Sequence, residues 1–135
     1  MPPRNVRAFL EECLRRGAKV RLLLAQDIGD FVRDSVQHAG SDWVGRFYAV
    51  RENAEVATQP ERLGKAPPGF SIYARNNLWI INTAWIEAAD SAKIRALLVW
   101  DQKPTGDGRG GTSDFEVKVR DLGGLIAIIN PTAFS

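Results

Sequence analysis

The chain alternates short continuous apolar runs with segments in which apolar residues recur at helical spacing. Runs at 20–25, 93–100 and 125–129 predict buried parallel strands, and 55–58 predicts a further short strand. The alternation of strands and helices predicts an α/β fold with a small, mainly parallel sheet. The clear strands number about three, fewer than the five or six of a doubly wound sheet.

Helical spacing predicts a first helix through Phe9 to Arg16 that stops at Gly17, and a second from Phe31 to His38. Ser41 and Asp42 are suited to cap a third helix. Residues 60–69 contain three prolines and two glycines, which predicts a loop.

Residues 71–89 predict a helix that is apolar on nearly every face. A helix of this kind usually packs against more than one neighbour. Trp79 and Trp85 lie six positions apart and therefore on different sides of it. We expect this helix to contact another copy of the chain in a homo-oligomer, or a partner domain.

A length of 135 residues with 44% hydrophobic composition predicts one domain spanning 1–135. The net charge is only +2 and the arginines are scattered, which argues against nucleic-acid binding. No apolar run approaches the length of a membrane span, and no signal peptide is evident. With the single cysteine Cys13 and the single histidine His38, we expect a cytoplasmic domain with no disulfide, no histidine metal cluster and no membrane association.

Residues 97–115 combine an apolar strand, a loop with four glycines and a helix start. Such a junction can bind an anion, because glycines let the backbone approach it and the first amides of the helix point at it. Asp101 ends the strand, at the sheet edge where ligands of parallel sheets collect. The other candidate ligand-binding residues of this motif are Gly106, Asp107, Gly108, Arg109, Gly110, Gly111, Thr112 and Ser113.

Two charged residues have distinct expected roles in the loop. Arg109 can offer a charged fork to a phosphate, and Asp107 can contact a ribose hydroxyl, a metal or the loop itself. The alternative is a flexible surface loop followed by an ordinary helix cap. Ser113 and Glu116 have the spacing of a capping box, and no Lys-Ser or Lys-Thr follows the glycines as a P-loop requires.

Two further sites come from polar residues beside apolar elements. Asp27 follows the strand at 20–25, where it can touch a ribose or simply cap the next helix. Asn76 and Asn77 are poor helix formers in the first turns of the apolar helix, beside Arg75. They can hydrogen-bond a ligand or the glycine loop, face solvent, or form a buried polar pair.

Residues 96–112, ALLVWDQKPTGDGRGGT, resemble the LWDG…GDGPGGT signature of Rossmann-like bacterial signalling domains. These domains are similar to the SLOG and TIR-like nucleotide-sensing group and occur beside tetratricopeptide repeats or nucleotide cyclases. Segments 9–18, 42–47 and 73–77 also look like parts of that family, whereas Arg109 replaces its proline. The resemblance implies a Rossmann-like three-layer domain that lacks the family's first strand–helix–strand segment.

The resemblance makes a nucleotide the expected ligand, with part of the site supplied by another protomer, another chain or a longer protein. The leading hypothesis is a non-catalytic domain that senses a nucleotide or nucleotide derivative, with no bound cofactor. A second is a protein–protein assembly module that has lost the ligand. A third is a nucleotide-processing hydrolase, for which only Asp27, Asp101 and Asp107 are placed to act.

Overall fold

The computed structural model describes residues 4–36, 41–99 and 111–130 and has a mixed α/β fold. The chain divides into two compact units, Met1–Lys65 and Ala66–Ser135. Each unit contributes one parallel pair of strands. The predicted parallel pairing is therefore confirmed, although the described strands form two two-stranded sheets.

The first unit has two parallel strands connected through helices. Its elements are α1 (Arg4–Arg15), β1 (Arg21–Leu24), α2 (Ile28–Phe31), a π-helical turn (Val32–Val36), α3 (Ser41–Glu52), β2 (Glu55–Thr58) and α4 (Gln59–Leu63). In the strand register, Arg21 lies opposite Glu55 and Leu24 lies opposite Thr58. The predicted strand at 20–25 and the short strand at 55–58 are confirmed.

The first unit is built around the buried side chains of Leu24, Val32 and Phe47. Strand β1 contributes Leu24, the π-helical turn Val32 and helix α3 Phe47, so the three elements share one core. The rings of Phe31 and Phe47 pack at a centroid distance of 5.3 Å with a tilt of 50°, within the range of favourable aromatic pairs.

Two charged pairs join elements of the first unit. Arg21 Nε donates to Glu55 Oε2 over 2.7 Å across the strand pair, and this hydrogen bond is the main reason that the pKa of Glu55 lies below its usual value. Arg46 Nε in α3 donates to Glu11 Oε2 in α1 over 2.9 Å, which raises the pKa of Arg46. The Arg46 guanidinium also lies 3.8 Å from the centroid of the Trp43 ring, in cation–π geometry.

The loop predicted for 60–69 is wrong at its start, because α4 covers Gln59–Leu63. Pro60 lies in the first turn of α4, where a missing N–H removes no intrahelical hydrogen bond. Gly64, with φ of 74°, ends this helix. The second helix was predicted from Phe31 to His38. Its described part begins earlier, at Ile28, and residues 37–38 lie outside the described residues.

The second unit contains a β–α–β arrangement preceded by a long helix. Its elements are α5 (Ile72–Ala88), a 3₁₀ turn (Ser91–Lys93), β3 (Arg95–Val99), α6 (Thr112–Asp121) and β4 (Leu125–Ile129). Strands β3 and β4 are parallel, with Arg95 opposite Leu125 and Val99 opposite Ile129. The predicted apolar helix at 71–89 is confirmed, with Ser71 as its cap. In the described part of the chain, no helix has both the length and the apolar character to cross a membrane.

The core of the second unit is formed by Ile81 of α5, Ile94 before β3 and Val119 of α6. Further apolar side chains pack around these three, among them Phe115, Leu122 and Ile126. Phe115 and Val119 therefore mark the packed face of α6, and Leu122, which follows the helix, packs against the same core. Helix α5 is held to the unit through this core.

Gly124 lies close to two buried residues of the second unit. A Cβ atom at this position would lie 2.8 Å from Val119 Cγ1 and 3.3 Å from the Ile94 carbonyl oxygen. Val119 is buried and β-branched, so it has little freedom to move away. We expect Gly124→Ala to lower the free energy of unfolding by about 1–3 kcal/mol, as measured by urea denaturation.

Gly45 provides the matched control for this substitution. It lies inside α3, and nothing lies within 4 Å of a Cβ placed there. Gly45→Ala should raise the free energy of unfolding by about 0.5–1 kcal/mol, because alanine favours a helix interior over glycine. Equal stability changes in the two variants would contradict the close approach at Gly124.

Candidate functional site

The glycine motif connects the carboxyl end of β3 to the amino end of α6. Strand β3 ends at Val99 and α6 begins at Thr112, so residues 100–111 connect them in the sequence. The sequence-predicted site residues outside the described part of the chain are Asp101, Gly106, Asp107, Gly108, Arg109 and Gly110. Gly111, Thr112 and Ser113 are described, and they form the helix side of the junction.

Gly111 is the N-cap residue of α6. Its backbone is extended, with φ of −78° and ψ of −172°, and its carbonyl accepts from Phe115 N over 3.2 Å to begin the helix. Thr112 and Ser113 therefore lie in the first turn. The capping box predicted from Ser113 and Glu116 is wrong, because Ser113 lies inside the helix and Glu116 Oε1 instead accepts from Arg120 Nε over 2.8 Å.

A cluster that we call the Asn77 clamp fixes this helix start against α5. Asn77 Nδ2 donates to the Gly111 carbonyl oxygen over 3.2 Å and to Asp114 Oδ2 over 3.1 Å. The other carboxylate oxygen of Asp114 accepts from Lys118 Nζ. The clamp thus consists of Asn77, Gly111, Asp114 and Lys118, all partly buried.

The sequence left open whether Asn76 and Asn77 contact a ligand, the glycine loop, solvent or each other. The asparagine pair does reach the glycine segment, since Asn77 binds the carbonyl of its last residue, Gly111. Asn76, the residue predicted for the site, lies beside it in α5 and is half-buried. Asp114 and Lys118 were missed, although their i, i+4 spacing on a predicted helix was the available signal.

The charges of the clamp stabilise the amino end of α6. Asp114 lies in the first turn, where a carboxylate interacts favourably with the helix dipole. Lys118 and the Asn77 amide both donate to this carboxylate, so they offset its negative charge. These hydrogen bonds connect the first turn of α6 to α5.

Asp27 has a local role in the first unit. Its Oδ1 accepts from Asp30 N over 2.9 Å, so it is the N-cap of α2. The interpretation of Asp27 as a helix cap is therefore confirmed, whereas the proposed ribose contact stays a prediction.

The carboxyl end of β2 carries two buried polar residues that the sequence did not signal. Thr58 and Gln59 are 3% and 1% exposed, and among the described residues the Thr58 hydroxyl has no hydrogen-bond partner. Unsatisfied buried hydroxyls are uncommon in folded proteins. Thr58 belongs to the four-residue strand β2 and Gln59 to the short helix α4. Neither element provides a periodic pattern from which burial could be predicted.

The described residues contain no group of three His, Cys, Asp or Glu side chains that could bind a metal ion. No protein-family description, no curated protein and no solved structure matches this chain. The functional argument therefore depends on the junction between β3 and α6 and on the chemistry of the motif that spans it.

Proposed function

We propose that the chain is a non-catalytic domain that binds a nucleotide or nucleotide derivative in bacterial signalling or defence. The observation that supports this proposal is the hydrogen bond from Asn77 Nδ2 to the Gly111 carbonyl, which fixes the end of the glycine motif at the start of α6. A preorganised helix terminus binds an anion without first ordering its backbone. A Rossmann-like three-layer arrangement is part of the same proposal.

In this proposal the phosphates lie against the glycines and the first amides of α6. Arg109 provides a cation for the phosphates, and Asp101 and Asp107 orient the ribose or the loop. Thr112 and Ser113, at the described end of the motif, contribute backbone amides. The parallel pairing of β3 with β4 supports this assignment, because ligands of α/β proteins collect beyond the carboxyl ends of parallel strands.

Thermal unfolding in the presence of ATP, NAD and cyclic dinucleotides tests this function. A ligand at about 100 times its dissociation constant stabilises the folded chain by about 2.7 kcal/mol. One kcal/mol raises the melting temperature of a domain of this size by roughly 2–8 °C, so we expect a clear increase with at least one nucleotide.

Arg109→Ala should abolish that increase, since it removes the cation expected at the phosphates. Arg62→Ala is the matched control, because it removes an exposed arginine at the end of α4 in the first unit. The increase should persist in that variant. An unchanged melting temperature with every nucleotide would contradict the proposed function.

The second candidate function is a protein–protein assembly module without ligand. The observation that favours it is the set of large apolar side chains that α5 exposes, with Ile86 80% exposed. Stable self-association of the chain together with no response to nucleotides would support this function over nucleotide sensing.

A further inference from the structure

We draw no further inference here: the strongest candidate, the exposed apolar face of helix α5 around Leu78, Trp85 and Ile86, carries no proposal because nothing in the described part of the chain shows what covers it.

Discussion

Phe47→Ala is expected to lower the free energy of unfolding of the first unit by about 3–5 kcal/mol. The Phe47 ring is 4% exposed and packs with Leu24 and Val32 in the centre of that unit. It also contacts the ring of Phe31, and that pair is lost with it. Truncation leaves a cavity among side chains from three different elements, which cannot all move to fill it.

The measurement is urea denaturation combined with hydrogen exchange of the α3 amides, which reports on the first unit separately. Phe9→Ala is the matched control, because Phe9 belongs to the same unit but is 48% exposed on α1. The control should change stability by less than about 1 kcal/mol. Similar losses in the two variants would contradict the placement of Phe47 in the core.

Ile81→Ala is expected to lower the free energy of unfolding of the second unit by about 2–5 kcal/mol. Ile81 is 3% exposed and packs with Ile94 and Val119, so it joins α5 to the rest of the unit. Because Asn77 lies one turn earlier on the same helix, loss of this packing should also loosen the Asn77 clamp at Gly111.

Two measurements separate the packing effect from the effect on the clamp. Urea denaturation gives the stability, and hydrogen exchange of the amides in the first turn of α6 gives the local opening of the helix start. Leu125→Ala is the matched control, since Leu125 lies in the same unit but is 55% exposed on β4. A stability loss at Leu125 as large as that at Ile81 would contradict the core described for this unit.

Under the proposed function, the Asn77 clamp has a role in ligand binding as well as in packing. A ligand at the β3–α6 junction would act directly on Gly111, and Asn77 would connect that position to α5.

Local sequence patterns predicted the described strands and the longer helices of this fold, but not the short helix α4. Apolar runs identified three of the four described strands, residues 55–58 were predicted as a further short strand, and helical spacing identified α5. The strand–glycine–helix order of residues 97–115 likewise predicted where β3 ends and α6 begins. These features follow from backbone geometry and from the side-chain period of each element, which are properties of neighbouring residues.

Two predictions from the sequence were wrong. The first failed because of local backbone geometry, and the second because the deciding contact comes from a residue distant in the sequence. Proline at 60 indicated a loop, yet its place in a first turn is compatible with α4. Capping-box spacing indicated Ser113 as the cap, but Gly111 takes that place and Asn77, 34 residues earlier, holds it. No short-range pattern specifies which side chain will be brought to a helix end by another helix.

The sequence by itself determined the order of the strands and of the longer helices, the parallel character of the strands and the position of the glycine motif at a strand–helix junction. The tertiary structure decided which side of the uniformly apolar α5 is buried, and hence that Ile81 packs inside while Trp85 and Ile86 stay exposed. It also decided that Gly124 must lack a side chain against Val119. The physical reason is that periodicity is encoded locally, whereas burial and close approach depend on residues that only folding brings together.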